Sequence, residues 1–414
     1  MDDMAHRWLG DEPVGRRGVL RGAAGTALAA GAVVTSAATG AAATPSAAGG
    51  GSPAAGGALD VVGMASFDAT DDLRRYPFRR RAVGARDVQV DVQFSGVCHS
   101  DVHTGRGDWG PVRYPLVTGH EIAGVVSAVG ASVTGFRVGD RVGVGTFVDS
   151  CRSCEQCRSG FEQYCLNTNV QTYANALPDY ADPADYPGGY PQGGYSTAIV
   201  VDEDYVVAIP DEIALEEAGP LLCAALTVYT PLRYWGVRRG SRVGVAGIGG
   251  LGHLAVQLAR ALGAEVVAFT TSPDKVPDAL RFGASQVVVG EDPALMAANA
   301  RSLDFVIDTV PYAHALDPYV QLLRRGATLC RVGVGLGTQP NEFANMSLVL
   351  QQNAIAGANT GSIRELRELL AFAVEHGVRP QVEVVPAQQV GSLWPRVVDR
   401  HARYRYVLDM RTLR

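Results

Sequence analysis

At 414 residues the chain is too long for one ordinary hydrophobic core and suits two domains. Hydrophobic residues make up 47% and charged residues 19%, the balance of a globular protein. The net charge of −6 is mixed along the chain and leaves no basic footprint for nucleic acid.

In chain order, residues 1–57 are a leader rich in Ala, Gly, Ser and Thr, with no apolar period that builds a core, and are expected to be disordered. Arg16 and Arg17 precede Val19 and Leu20, a weakly apolar run from Gly22 to Ala38, and an A-x-A pair at Ala41 and Ala43. This layout resembles a twin-arginine export signal and implies a periplasmic or extracellular protein. If the leader has no such function, the protein is expected in the cytoplasm. The run holds few large apolar side chains, so no stable membrane span is expected.

From about Leu59 the character changes. Val88–Val92 alternates apolar and polar residues, as a half-buried strand does, and Gly119–Val144 breaks into short Val/Gly-rich pieces. Together they suggest a compact β-rich domain. Asn175–Gly194 is rich in Pro, Gly, Asp and Tyr and reads as a long surface loop. After Leu215 strands and helices alternate: strand Arg242–Ala246, helix Leu251–Leu262, strand Glu265–Thr270, then strands Phe305–Asp308 and Thr328–Val332. Such alternation builds βαβ units on a parallel sheet, so the fold class is α/β.

Gly247, Gly249, Gly250 and Gly252 follow the first of these strands and open the helix. Glycines there let the backbone approach a pyrophosphate, and the N–H groups at the helix start face it. The second strand ends in Thr270, Thr271 and Ser272, with Lys275 close by and no carboxylate at the strand end. An NAD-preferring site places Asp or Glu there for the ribose 2′-hydroxyl, whereas hydroxyls and a lysine suit a 2′-phosphate. The expected cofactor is therefore NADP(H), with Asp274 as the residue that speaks against it.

Four of the seven cysteines, Cys151, Cys154, Cys157 and Cys165, fall within fifteen residues, a spacing that suits a closed structural zinc site. Cys98, His120 and Cys223 lie far apart in sequence but supply the two thiolates and one imidazole of a catalytic zinc that keeps one open position. Glu121, beside His120, is a transient ligand or a group behind the ligands. Two zinc ions per chain are expected.

At these residues the sequence resembles the zinc-containing medium-chain alcohol dehydrogenases. Gly119-His120-Glu121 with Gly124, Gly130 and Val133 matches that family's zinc signature. The segments GVCHSD, YPLVTGHE, VDSCRSCEQCRSGFEQYC, PLLCA, GIGGLGH, FTTS and YRYVLDMRTL are most similar to its cinnamyl alcohol dehydrogenase and broad-range aldehyde reductase branch. The resemblance spans nearly all of residues 59–414 and none of the leader. It implies a GroES-like catalytic domain over 58–214 and 360–414 that carries both zinc sites, and a Rossmann NADP-binding domain over 215–359. It also implies a homodimer joined through the Rossmann sheets. Ser100 stands where many relatives have threonine. Ala225 stands where the branch often has glycine, and is expected to narrow the space beside the metal.

The expected reaction interconverts primary alcohols and aldehydes by hydride transfer. Ser100, two residues after ligand Cys98, is placed to hydrogen-bond the reacting oxygen, and His103 to relay its proton to solvent. Asp101 is expected to orient its neighbours, Trp109 to line the substrate pocket or pack as an ordinary aromatic, and Cys330 to be a buried strand thiol. Two alternatives share much of this sequence: a zinc-free quinone or enone reductase on the same fold, and a catalytically silent exported protein that binds NADP and zinc. The first needs no ligand set of this kind. Replacing Lys275 with glutamate is expected to raise the KM for NADP(H) far more than that for NAD(H); equal effects in steady-state kinetics would discredit the assignment.

Overall fold

Val88, Val90 and Val92 are fully buried along the strand Asp87–Gly96, while Gln89, Asp91 and Gln93 between them remain partly exposed. The period-2 pattern thus places one face on a core. A computed structural model describes residues 57–414 apart from 175, 337–339 and 400. The expected leader, save Gly57, lies outside the described residues.

Asp87–Gly96 pairs antiparallel with Ile122–Val129, which pairs with Arg141–Val144 and through it with Val206–Ala208. Ala198–Asp202 also pairs with Asp87–Gly96. The far side of this seven-stranded sheet comes from the end of the chain: Arg405–Asp409 lies antiparallel to Asp87–Gly96 and parallel to Val382–Pro386. The chain therefore leaves this sheet after residue 208, builds a second one, and returns to complete the first.

The second sheet has six strands, all parallel, in the spatial order Gln286–Val289, Glu265–Thr270, Arg242–Ala246, Leu303–Asp308, Leu323–Arg331, Ala354–Gly357. In sequence order this is 3-2-1-4-5-6, the doubly wound arrangement whose ligand crevice opens between strands 1 and 4 at their C-terminal ends. Its central strands are buried on both faces, which is why they read as continuous Val/Ile/Ala runs without alternation. The helix Gly252–Ala261 is one residue shorter at each end than expected, because Leu251 and Leu262 are its flanking caps. The strands expected from Phe305 and Thr328 begin earlier, at Leu303 and Leu323; exposed Arg324 and Arg325 hide the start of the latter from an apolar pattern.

The long loop holds only a short 3-10 turn, Pro183–Asp185, among its described residues. Its far end is fixed from inside. Arg80 is buried and donates to the carbonyls of Ala198, Gln192 and Gly193 and to Ser196 Oγ at 2.6–2.8 Å, with burial pulling its pKa down to about 9. The segment so clamped runs beside Val117–Gly119, bonded through Gly193 N–H, Gly194 N–H and Tyr195 N–H. That pairing positions the backbone just ahead of His120. No helix among the described residues is long and apolar enough to cross a membrane.

Candidate active site and metal centres

Three pieces of backbone meet where the two sheets adjoin. Cys98 caps the helix His99–Gly105 at the end of the strand Asp87–Gly96. His120 and Glu121 immediately precede the strand Ile122–Val129. Cys223 sits on a π-helical turn, Leu221–Ala225, between the helices Leu215–Pro220 and Leu226–Tyr234. Such turns widen a helix locally and are frequent at functional positions. One ligand atom from each of Cys98, His120, Glu121 and Cys223 lies within 4.8 Å of the others, and all four side chains are buried. His120 Nε2 is 3.2 Å from Cys223 Sγ.

Asp101 supports this group. Its carboxylate accepts the N–H of Cys98 at 2.8 Å, the N–H of Gly119 at 3.0 Å and the hydroxyl of Tyr195 at 2.8 Å, and lies 3.3 Å from His120 Nδ1. Glu121 Oε1 accepts from Arg405 at 2.7 Å, while its Oε2 is buried with no hydrogen-bond partner. A Cβ on residue 96 would come within 2.0 Å of that oxygen, so the carboxylate fits only because position 96 is glycine. Burial raises the Glu121 pKa to about 7 against the opposing charge of Arg405. The Cys98 thiol is held well below its usual range, first by the hydrogen bond with Cys223 and then, against burial, by the charges of Arg405 and His120; that same bond pushes Cys223 up. Two sulfurs, one imidazole and an orphaned carboxylate oxygen in a water-poor site form a donor set that fits zinc.

The second cluster is an excursion between the short strands Phe147–Asp149 and Val170–Gln171, which pair with each other. The sulfurs of Cys151, Cys154, Cys157 and Cys165 lie within 4.8 Å of one another, and Cys151 and Cys157 are 3.9 Å apart. Four sulfurs at about 2.3 Å around a tetrahedral zinc sit about 3.8 Å apart, whereas a disulfide needs about 2.05 Å. Backbone N–H groups of Cys154, Cys157 and Leu166 point at the sulfurs at 3.4–3.5 Å, the orientation that stabilises thiolates. Despite burial, those of Ser153 and Cys154 bring Cys151 down to about 5. This set also fits zinc.

A single cavity of about 1220 Å³ joins the first cluster to the doubly wound sheet. Cys98, Ser100, His120 and Cys223 line it together with Gly247, Gly249, Gly250, Thr270, Thr271, Ser272 and Lys275. Gly247 has φ +86°, a conformation glycine adopts without strain, and a Cβ at Gly252 would strike its carbonyl at 1.8 Å. Gly252 accordingly stays inside the helix start and does not line the cavity. Lys275 is 7% exposed, donates to Ile248 O at 2.9 Å and lies over the Tyr404 ring. Asp274 is turned away into an ion pair with Arg403.

Ser100 Oγ is 3.6 Å from Cys98 Sγ. His103 lies behind the cavity wall: its Nδ1 is 2.8 Å from Asp108 Oδ2, its ring stacks on Trp109, and its buried Nε2 has no hydrogen-bond partner. Trp109 is 42% exposed, lines the cavity and donates to Gly335 O. His99 also lines it, and burial pulls its pKa down to about 4, so the ring is neutral at pH 7.

Residues 84–211 match the family model "Alcohol dehydrogenase GroES-like domain" and residues 250–375 the model "Zinc-binding dehydrogenase". The chain is 45% identical over 354 residues to NADP-dependent alcohol dehydrogenase C 1 of Mycolicibacterium smegmatis, covering 86% of this chain and 99% of that one. It belongs to the zinc-containing medium-chain alcohol dehydrogenase family. Among solved structures, a cinnamyl alcohol dehydrogenase from Sorghum bicolor superposes with a TM-score of 0.80 at 40% identity, covering 85% of this chain and 98% of that one. The CAD from Helicobacter pylori complexed with NADP(H) does so with 0.79 at 35% identity, covering 86% and 99%.

For this family member, one expectation fails. Ala225 is fully buried in the core and does not line the cavity, so it does not narrow the space beside the metal; two positions beyond Cys223 on a helical turn is the opposite face, and Thr227, one turn on, lines the cavity instead. Cys330 is, as expected, a buried strand thiol. Sequence reasoning missed Arg405, Tyr173 and Tyr195. Replacing Cys154 with serine is expected to cut zinc from two ions per chain to one and to lower Tm by about 5 °C or more, because closure of such a site contributes folding free energy directly. Atomic absorption and calorimetry check this; an unchanged zinc content would refute the assignment of the cluster.

Proposed function

We propose that the protein interconverts primary alcohols and aldehydes by hydride transfer with NADP(H). The observation that carries this reading is the convergence of Cys98, His120 and Cys223 on the wall of the same cavity as the glycine turn. Bound zinc supplies a Lewis acid at the reacting oxygen, and NADP(H) supplies or accepts the hydride.

The rest falls to the chain. The Gly247–Gly252 turn and the start of its helix hold the pyrophosphate, and Thr270, Thr271, Ser272 and Lys275 receive the 2′-phosphate. Asp101 holds the backbone of Cys98 and Gly119, keeping the ligand segments on either side in register. Ser100 bonds the reacting oxygen and exchanges its proton. His103 carries that proton outward, helped by its contact with Asp108, whose side chain reaches solvent. Trp109 closes one side of the cavity. The active unit comprises residues 58–214 and 360–414 as catalytic domain and 215–359 as dinucleotide domain.

The same reading includes a homodimer. It is supported by the strand Ala354–Gly357 at the open edge of the six-stranded sheet and by exposed Val334, Leu336, Met346, Val349 and Leu350 in the segment leading to it. Sedimentation equilibrium tests it. It also includes export by the twin-arginine route, which rests on the leader's Arg16-Arg17 and is tested by whether Arg16→Lys with Arg17→Lys retains the chain in the cell.

The experiment for the activity is a panel of aldehydes run with NADPH and NADH on the purified chain, with metal content measured in parallel. Turnover preferring NADPH, with two zincs per chain, is expected. One zinc without turnover would favour a silent binding protein, and turnover of enones without zinc a quinone reductase. Ser100→Ala is expected to lower kcat by about 100-fold, the range of a lost proton-transfer group; wild-type turnover would remove Ser100 from the relay.

A further inference from the structure

His120 has a second partner besides Asp101. The hydroxyl of Tyr173 lies 3.0 Å from His120 Nδ1, closer than the Asp101 carboxylate at 3.3 Å, and the two rings stack with centroids 5.6 Å apart. Tyr173 is buried. For His120 to offer the Nε2 lone pair to a metal, its proton must sit on Nδ1, and that proton needs an acceptor. The Asp101 carboxylate already accepts from Cys98 N–H, Gly119 N–H and the Tyr195 hydroxyl. The tyrosine oxygen is the nearer free lone pair. It can accept the Nδ1 hydrogen at 3.0 Å, with the Asp101 carboxylate 3.3 Å away on the same nitrogen, so that phenol and carboxylate together hold the imidazole.

The place of Tyr173 in the chain gives this contact a wider consequence. It follows the strand Val170–Gln171, which pairs with Phe147–Asp149 to close off the four-cysteine excursion. The residue between, Thr172, is tied to Thr146 O through its N–H and to Gly145 O through its hydroxyl at 2.5 Å. The Cys151–Cys165 cluster thus anchors the hairpin whose end reaches the catalytic ligand.

We infer that Tyr173 is a positioning residue for His120: its hydroxyl fixes the tautomer and ring angle that aim Nε2 at the sulfurs of Cys98 and Cys223, and so governs how firmly that site retains its ion. The inference rests on the reading of Cys98, His120 and Cys223 as a zinc site. Groups behind metal ligands typically change metal affinity by about 10–100-fold when removed.

The test is metal release from the full-length, zinc-loaded protein under a chelator challenge, followed with a colorimetric zinc indicator, for the wild type, Tyr173→Phe and Tyr180→Phe. Tyr180 is a control because its hydroxyl bonds Thr168 O in the same loop region. In Tyr173→Phe, which keeps the ring, one zinc per chain is expected to leave at least about 10-fold faster while the second stays, with the wild-type rate in Tyr180→Phe. Cobalt(II) substituted at the catalytic site is expected to show shifted visible bands in Tyr173→Phe only. Wild-type release in Tyr173→Phe overturns the inference, as does equal acceleration in Tyr180→Phe, which would mean general loosening of the loop. A wild-type chain holding metal only in the four-cysteine cluster overturns the zinc reading itself, and the wild-type stoichiometry alone reveals that outcome.

Discussion

Cys98, Asp101, His120, Glu121, Cys223 and Arg405 are all buried within one small region, and the structure is organised around keeping their charges balanced. Two thiols and two carboxyl groups face only the Arg405 guanidinium and the His120 imidazole in a buried interior, where an uncompensated charge is costly. Titration relieves part of this: the bond between the two thiols drives Cys98 down and Cys223 up, and burial brings Glu121 to about 7. A divalent cation relieves the rest while using the same lone pairs as ligands. The unpartnered Glu121 Oε2 is the visible residue of that imbalance.

This constraint explains why the chain returns to its first sheet. Arg405 is at the start of the last strand and reaches Glu121 and Val97 O, so the C-terminal segment supplies a buried guanidinium to the site. Its neighbour Tyr404 faces the other way. It stacks on His253, 5.1 Å away, and lies beneath Lys275. His253 in turn donates from Nδ1 to Gly249 O and accepts at Nε2 from Gln381 N–H; burial pulls its pKa down to about 3, so it stays neutral with its proton fixed on Nδ1. Two adjacent residues therefore tie the metal site to the glycine turn, and the two halves of the enzyme are registered where cofactor and substrate must meet.

What the sequence made legible had a local signature. The central strands announce themselves as unbroken apolar runs, the dinucleotide turn as glycines between a strand and a helix, and the four-cysteine cluster by spacing alone. What it hid depends on contacts between distant positions. Arg405 lies 284 residues from Glu121, Tyr195 lies 94 from Asp101 and Tyr173 lies 53 from His120. An arginine between two tyrosines in a strand carries no mark of burial, and a tyrosine in a loop reads as surface. Ala225 was misplaced for a related reason: adjacency to a ligand in sequence says nothing about which way a side chain points once the turn becomes helical.

The cofactor site shows the same division at finer grain. The absence of a carboxylate at the end of Glu265–Thr270 is a sequence fact, but the neutralisation of Asp274 is not, because it depends on Arg403 arriving from the C-terminal segment. Lys275 is likewise more than a loose surface cation. Its ammonium bonds the carbonyl of Ile248, within the glycine turn, and rests on Tyr404, so it is held in place beside that turn. A lysine held that way pays less ordering entropy when a phosphate arrives. In the proposed reading, selection of a 2′-phosphate rests as much on this pre-set charge, and on the pairing of Asp274 with Arg403, as on the hydroxyls themselves.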